Sequence, residues 1–439
     1  MSRDRYVDFL RAWAIVLVVL GHWLITALVR EPDGRITAPE LLATVPWTQW
    51  LTLAFQIMPL FFLAGGHAAG GSWSRARAAG GTAAGWLGRR ALRLLLPVGV
   101  YSSLVLLAVG ICSVAGVDAG TLALVGWAMA MQFWFLPVYL LLSALTPALH
   151  AAHRRWGLRV PPLMGAVALV ADALVVTVHA PYVGLLDYVL VWGVAYQLGF
   201  CWRDGLLTGR RLVPLGMAAG GGAAFAALVA LGPFPVSLIL VTGQNPSNTD
   251  PPSAAMLAWV VAQAGLCLLA APPVRRLLER DRAWRVVRPV GAASMTLYLW
   301  HMLPVLAVAA AFYLTGLAPE PPLGSAAWWG LRVPWLLVLG VVLAGVVSAL
   351  GPLERGLAVL YERTSPDAGL RRAWPLWLGL AMSVAALGRL AVRGFAPDGR
   401  LPVLPAVGLA LGTALVMLTG WSSARRLEQP EAGRAPERV

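Results

Sequence analysis

The sequence is poor in charge and contains no lysine. Charged residues make up 12% of its 439 residues and hydrophobic residues 59%, whereas a soluble domain carries about 25% charged residues. No polar segment between the apolar runs is long enough to fold as a soluble domain with its own core. The composition excludes an ordinary soluble protein and predicts an all-α, polytopic integral membrane helical bundle.

Cysteine is also scarce. The three cysteines, Cys112, Cys201 and Cys267, lie within or beside apolar runs and lack CxxC spacing. This spacing excludes a disulfide framework and a zinc site, and it predicts no bound metal. Serine-hydrolase, zincin and ATP-driven activities have no local support either, because the G-x-S-x-G, H-E-x-x-H and G-x-x-x-x-G-K-[ST] motifs do not occur.

Apolar runs long enough to cross a bilayer recur from end to end. A span needs about 20 apolar residues, and this length predicts about twelve transmembrane helices. The segment 122–148 is too long for one perpendicular span, so we expect it to tilt, to break near Pro137 or to begin in the interface. The predicted spans are 8–29, 46–66, 92–115, 122–148, 162–180, 184–202, 211–231, 254–273, 289–315, 332–350, 374–393 and 403–421.

The basic residues, all 34 of them arginines, indicate orientation. In a soluble protein this excess would suggest a nucleic-acid partner, but here the arginines follow the positive-inside rule, and no nucleic acid is predicted. The pattern places both termini in the cytoplasm and the chain in the cell membrane, with the lipid bilayer as its partner. The arginines that fall on the outer side are Arg30, Arg35, Arg332, Arg389, Arg393 and Arg400.

Two ionisable residues lie on one face of the first predicted span. Arg11 and His22 are eleven residues apart, which is three helical turns plus roughly 20°, and about 16 Å along the axis. Ionisable groups inside a membrane are costly and usually mark a functional site. Arg11 could instead anchor the helix at the interface, and His22 could simply bond a neighbouring helix.

Other polar residues in or beside apolar segments could likewise have a structural or a functional role. His301 lies in the middle of SMTLYLWHM, where it could form a core hydrogen bond or act in function. Asp172 is expected to make a hydrogen bond between helices, because an unpaired buried carboxylate would protonate. His150 and His153 stand beside Arg154 and Arg155, and a solvated or headgroup-facing cluster is expected there.

Several segments resemble the acyltransferase-3 family of membrane O-acyltransferases. RDRYVDFLRAWAIVLVVLGH reproduces the family's arginine, ten residues and histidine at Arg11 and His22, and SMTLYLWHMLP at 294–304 is similar to a later family segment. The family's usual serine in the second-span motif is replaced by Ala64. Three further segments resemble the family in its order: MPLFFLAGG at 58–66, GRRALRLLLP at 88–97 and FWFLPVYLLLSALTP at 133–147.

This resemblance implies a ten-helix core that moves an acyl group, usually acetyl, from cytoplasmic acyl-CoA to a hydroxyl of a carbohydrate or other acceptor. It implies that His22 is the general base, that Arg11 acts on the donor side and that no cofactor is permanently bound. His301 or Tyr298 could stabilise the oxyanion. The donor phosphates are expected at Arg89, Arg90 and Arg93.

The extent of the resemblance, together with the composition of the remaining residues, predicts a domain organisation. Residues 1–350 form the acyltransferase-like core, residues 351–421 a cytoplasmic loop with two added helices, and residues 422–439 a polar, disordered cytoplasmic tail. The acceptor is a carbohydrate, another cell-envelope component or a small molecule; the outer loop 242–253 could form its binding lip or be an ordinary surface loop.

Two other functions fit the sequence. A proton-coupled secondary transporter is the alternative, since about twelve helices with both ends inside is a common transporter layout. No internal repeat between residues 1–200 and 211–421 supports it. A non-catalytic scaffold for envelope assembly is a weaker possibility.

Overall fold

The computed structural model describes residues 4–364 and 373–427, and it is 79% helical. This confirms the all-α prediction. The α-helices are α1 (Arg5–Ile25), α2 (Leu41–Thr44), α3 (Thr52–Phe55), α4 (Met58–Ala78), α5 (Ala83–Val114), α6 (Ala119–Ala128), α7 (Phe135–Trp156), α8 (Val160–Val178), α9 (Pro181–Gly184), α10 (Asp187–Arg203), α11 (Leu212–Leu231), α12 (Ala254–Leu278), α13 (Asp281–Ala292), α14 (Ser294–Trp300), α15 (Leu303–Val308), α16 (Ala326–Thr364), α17 (Trp374–Arg393) and α18 (Val403–Leu427).

Short irregular pieces connect these helices. One hairpin pairs β1 (Val29–Arg30) antiparallel with β2 (Ile36–Thr37), with Val29 opposite Thr37. A π-helical turn, Ala309–Tyr313, follows α15. The 3-10 turns are Pro46–Leu51, Met131–Trp134, Gly157–Arg159 and Pro397–Gly399.

The helices are long and apolar enough for a multi-pass membrane protein. In the described residues nine segments could each cross a bilayer, or ten if α14 with Leu303–Tyr313, bent by 41°, is one span. One of the nine, Met131–Val178, would extend about 70 Å as a straight helix, more than twice a bilayer core. Gly157, with φ 54°, interrupts it between α7 and α8. The count of about twelve and the cytoplasmic placement of both termini stay predictions.

The helix boundaries differ from the predicted spans at several places. The segment 122–148 breaks between α6 and α7, around Met131–Trp134, and not at Pro137, which lies inside α7. The segment 289–315 is divided among α13, α14 and α15. Helix α16 continues to Thr364, through residues predicted as a loop, and α18 continues to Leu427. The remainder of the predicted tail lies outside the described residues.

The chain forms two compact units. Unit 1 comprises Met1–Gly71 and Leu145–Ala349, and unit 2 comprises Ser72–Ala144 and Leu350–Val439. This division follows three-dimensional contacts, and the sequential boundary near residue 350 stays a prediction.

Glycine allows helices of unit 1 to approach one another closely. A Cβ at Gly66 in α4 would collide with the carbonyl oxygen of Tyr196, and a Cβ at Gly199 in α10 with that of Leu63. The glycines of residues 216–222 lie in an apolar run, a pattern that predicts a close helix-packing surface, and a Cβ at Gly221 would lie 2.5 Å from the backbone nitrogen of Ala262 in α12. That surface is confirmed at Gly221, while a Cβ at the other three glycines of the segment would meet nothing within 4 Å.

Polar contacts fix the ends of several helices in unit 1. Tyr6 in α1 donates its hydroxyl to the carbonyl oxygen of Cys267 in α12 over 2.5 Å, and Arg5 donates to that of Leu278 over 2.8 Å. The buried carboxylate of Asp172 accepts the Ala254 amide at the start of α12 over 3.0 Å. The predicted hydrogen bond between helices at Asp172 is therefore confirmed.

In unit 2 the two C-terminal helices pack against the segment that contains α5 and α6. Phe395, after α17, is fully buried and its amide donates to the Gly126 carbonyl over 3.0 Å. Its ring lies 5.5 Å from that of Phe133 and 6.1 Å from that of Tyr101. The added helices thus belong to a compact core and not to an independent appendage.

Candidate active site

Two histidines from distant parts of the sequence meet in unit 1. Nδ1 of His22 and Nε2 of His301 are 2.7 Å apart, and the ring centroids are 4.9 Å apart with an angle of 24° between the ring planes. His301 is completely buried, whereas His22 is half-buried. Of the predicted site residues, these two are brought into direct contact.

A second hydrogen bond determines how protons are arranged in the neutral pair. Nδ1 of His301 lies 2.9 Å from the carbonyl oxygen of Tyr298, which can only accept a hydrogen bond. We therefore assign the His301 proton to Nδ1, so that its Nε2 accepts the Nδ1 proton of His22. This leaves Nε2 of His22 as a lone-pair acceptor, and it has no partner among the described residues.

His22 reaches this position near the end of α1. That helix ends at Ile25, and the hydroxyl of Thr26 donates to the carbonyl oxygen of His22 over 2.6 Å. The next residue, Trp23, donates its indole N–H to the carbonyl oxygen of His301 over 2.6 Å. Adjacent residues of α1 thus hold both the ring and the backbone of His301.

His301 lies at the break between α14 and α15. Pro304, in the first turn of α15, has no amide hydrogen and its ring disfavours a continuous helix through the preceding turn. The break therefore has a local cause in the sequence, and it leaves the His301 carbonyl oxygen available to Trp23. The role of Trp23 in holding His301 was not predicted from the sequence. The one feature that could have indicated it is the position of this tryptophan next to a histidine in an apolar span.

The ring of His301 has no N–H left for an oxyanion. Nε2 faces His22 and Nδ1 faces the Tyr298 carbonyl. The expected oxyanion role of His301 therefore does not match the geometry, and a positioning role toward His22 does.

Arg11 is not brought to the histidine pair. It is exposed, near the beginning of α1, and eleven residues of helix separate it from His22 by about 16 Å. Close to that end of the helix, Arg275 forms a 2.9 Å ion pair with Asp4. Arg11 thus belongs to a charged end of α1 and His22 to its apolar end.

The predicted donor arginines lie in unit 2, in the first turns of α5. Arg90 donates to the hydroxyl of Tyr139 and, over 3.3 Å, to that of Ser143, both in α7. Its guanidinium also lies 5.5 Å from the ring of Trp86. Arg93 is exposed with its guanidinium 5.1 Å from the Tyr361 ring, and Arg89 is half-buried.

The second histidine cluster differs from its prediction. His150 and His153 are buried, with only 6% and 4% of their surface exposed, so the expected solvated cluster is wrong. Nε2 of His153 lies 3.0 Å from Asp204 Oδ2, and its Nδ1 lies 3.8 Å from the sulfur of Cys201. The two histidines are three residues apart and face inward, while Arg154 and Arg155 are exposed.

The polar loop 242–253 uses several of its side chains internally. Asn248 is 1% exposed and donates to the carbonyl oxygens of Pro235 and Ser237 over 2.6 and 2.9 Å. Its own side-chain oxygen accepts the Ser253 hydroxyl over 2.6 Å. These groups stabilise the loop itself. Within the described ranges no group of three or more His, Cys, Asp or Glu residues could hold a metal ion.

The comparison with protein families identifies the chain. The acyltransferase domain model of the acyltransferase-3 family matches residues 4–351, well over half of the sequence. Comparison with the curated proteins and with the solved structures gives no match. The matched range contains both histidines and the helices that carry them. The chain therefore belongs to the acyltransferase-3 family and is a multi-pass membrane acyltransferase.

Proposed function

We propose that this protein is an O-acyltransferase that moves an acyl group, acetyl in the first instance, from cytoplasmic acyl-CoA to a hydroxyl of its acceptor. The observation that carries this proposal is the hydrogen-bonded pair of His22 and His301, in which Nε2 of the half-buried ring is the open acceptor. A positioned imidazole lone pair suits the removal of a proton from an alcohol.

The reaction proceeds by direct transfer. Nε2 of His22 takes the acceptor's hydroxyl proton while the hydroxyl oxygen attacks the thioester carbonyl carbon. The tetrahedral intermediate then collapses, the carbon–sulfur bond breaks, and the proton on His22 returns to the thiolate. The products are the ester and free CoA, so no further reactant is needed.

His301 is a positioning residue in this mechanism. Its Nε2 accepts the Nδ1 proton of His22, which fixes the tautomer and the ring orientation of the base. The same bond strengthens when His22 becomes an imidazolium, because the donor is then charged. Trp23 and the Tyr298 carbonyl oxygen hold His301 in turn.

The arginines belong to the donor side of the proposal. Arg11 marks the end of α1 away from the base, and Arg89, Arg90 and Arg93 form a basic cluster in the second and third turns of α5. Phosphate groups of acyl-CoA favour such sites, since guanidinium forms charge-assisted, bidentate hydrogen bonds with them.

The test is acyl transfer by purified protein in lipid nanodiscs with radiolabelled acetyl-CoA and a cell-envelope extract as acceptor. We expect label in hydroxyl-ester products, released by mild alkali, with the natural sequence and almost none with His22→Gln. Glutamine can hydrogen-bond to His301 but cannot accept the proton. Equal labelling by His22→Gln would refute the proposed base, and no acyl-CoA-dependent labelling by either protein would refute the proposed donor or acceptor chemistry.

A further inference from the structure

A cavity of about 430 Å³ lies beside the end of α1 that carries His22. Its walls come from the chain after α1, from the segment after His301 and from α16, all within unit 1. Its lining includes Leu28 and Val29, six and seven residues after His22, and Val308, seven residues after His301. The cavity is thus built from the continuations of both elements that form the histidine pair.

Hydrogen bonds connect the cavity wall to the pair. Trp335, which lines the cavity, donates to the carbonyl oxygen of Trp23 over 3.0 Å, and Trp23 donates to that of His301. Arg332, also in the wall, donates through Nη1 to the carbonyl oxygen of Thr26 over 2.9 Å. A ligand in the cavity would therefore lie against groups bonded directly to the residues that surround His22.

The lining is unsuited to a bare sugar. Apart from two tryptophans, its polar side chains are Tyr313, Glu320 and Arg332; the others are aliphatic, aromatic or proline. A carbohydrate needs many hydrogen-bond partners, and burying its hydroxyls against proline and leucine would leave them unsatisfied. Such a wall fits a ligand with a large apolar part.

Arg332 adds one specific requirement. It is 7% exposed, and its guanidinium lies 3.8 Å from the Trp328 ring centroid and 5.2 Å from that of Trp335. Its Nε is buried without a hydrogen bond, and among the described residues no carboxylate forms an ion pair with it. Glu320, the acidic residue of the lining, is exposed. A buried cation of this kind lacks a counter-charge, which an anionic ligand would supply.

We propose that this cavity binds the acceptor, and that the acceptor is an amphiphilic alcohol with an apolar body and one anionic group, a carboxylate or a phosphate, held by Arg332. This inference rests on the proposed function, because it names the substrate class of the same site. The two tryptophan rings beside it and its hydrogen bond to the Thr26 carbonyl oxygen restrict the orientation of the guanidinium before a ligand arrives.

The test measures binding without acyl-CoA, so that it does not depend on the reaction. Full-length protein in nanodiscs is titrated calorimetrically with ω-hydroxyoctanoate, with ω-hydroxyoctyl phosphate and with octanediol, and heats from empty nanodiscs are subtracted. We expect at least one anionic probe to bind roughly tenfold or more tightly than the diol, since a charge-assisted pair is lost in the diol. The stronger of the two anionic probes identifies the anion as carboxylate or phosphate.

Four variants make the result specific. Arg332→Gln should remove the preference for the anion, and Arg332→Lys should keep part of it. Arg400→Gln, an exposed arginine in unit 2, is the matched control and should change nothing. Ala318→Trp narrows the cavity from a loop and keeps Arg332 in the sequence, and it should weaken the binding of all three probes.

The proposal is overturned if neither anionic probe binds, if the diol binds as tightly, or if Arg332→Gln, folded, retains the preference. If Arg332→Gln does not fold, Ala318→Trp tests the proposal in its place. Unchanged probe binding by Ala318→Trp would show that the probes bind outside this cavity, and it would overturn the proposal. Anion binding at Arg332 without any acyl transfer would refute the proposed function and leave this site in place.

Discussion

Unit 1 contains two pairs of histidines that differ in what their nitrogens can reach. In the pair of His22 and His301, one ring is half-buried and its Nε2 is open. In the pair of His150 and His153, both rings are buried, and His153 uses one nitrogen for the Asp204 carboxylate and has the other 3.8 Å from the Cys201 sulfur. The ring centroids of this second pair are 6.4 Å apart, so the rings do not bond each other.

The difference teaches how to recognise the reactive pair. Burial alone does not separate the two, since three of the four rings are almost inaccessible. The pairs are separated by a ring that is only half-buried and whose other nitrogen is held, because a base needs a lone pair that the acceptor can reach and a fixed orientation; His150 and His153 are both buried. By this criterion we propose His22 as the base and His153 as a structural residue.

The largest expected effect follows from removing the open ring. His22→Ala should stay folded and bind acyl-CoA, while its turnover falls about 10²- to 10⁴-fold, the usual loss for a general base. The measurement is acyl transfer in lipid with donor binding in parallel. His153→Ala is the matched control. Near-normal turnover in His22→Ala would contradict the proposed catalytic role of the first histidine pair.

A smaller effect is expected when the orienting ring is changed. His301→Ala should lower turnover about 10- to 100-fold, the range known for partners that orient a metal-bound histidine. His301→Gln should retain much more turnover than His301→Ala, because the glutamine side-chain oxygen can still accept the hydrogen bond from Nδ1 of His22. The diagnostic reading is a fall in kcat with an unchanged KM for acyl-CoA. Equal activities of the Ala and Gln variants, both folded, would contradict the positioning role.

The arginines proposed for the donor side should affect the binding of acyl-CoA and not the rate of the chemical step. Arg93→Gln should raise the KM for acyl-CoA several-fold up to about tenfold while leaving kcat nearly unchanged, since charge-assisted contacts to phosphate are lost. Arg93 is the preferred site because Arg90 also bonds Tyr139 and Ser143, and its loss would disturb packing. Arg393→Gln, also exposed and in unit 2, is the control. An unchanged KM would exclude Arg93 from the donor site.

The smallest effect on turnover is expected in the second pair. His153→Ala should change kcat less than about twofold but lower the free energy of unfolding by about 1–3 kcal/mol, because a hydrogen bond to a carboxylate is lost. Thermal unfolding monitored by tryptophan fluorescence measures the stability. A large fall in kcat without a change in stability would make His153 a second functional residue.

The sequence predicts the spans because apolar runs of bilayer length need no tertiary information. It also singles out His22 and His301, since an imidazole in such a run is costly. It does not predict that they touch, because 279 positions separate them and the rotation of each helix depends on packing against the others. A break in 122–148 is one of the expected alternatives, but its position near Pro137 is wrong, because a proline is tolerated in the first turn of α7.

The error at His150 and His153 has a simple physical origin. Adjacent arginines suggest an exposed segment, but on a helix the neighbour in sequence points about 100° away. His153 therefore faces inward while Arg154 faces outward. The burial of these side chains is determined by their position around the helix, and not by the charge of the residues next to them in sequence.

The contact between Gly66 and Gly199 has a genetic consequence. At each position an added methyl group would meet a main-chain carbonyl oxygen of the neighbouring helix, and not the end of a side chain. Side chains can be trimmed by a second substitution, whereas a carbonyl oxygen is present whatever the residue. A screen for second-site revertants of Gly66→Ala or Gly199→Ala should therefore recover true reversions and almost no suppressors among the residues that surround them. The glycine that ends the MPLFFLAGG segment is thus fixed by the backbone of its neighbour.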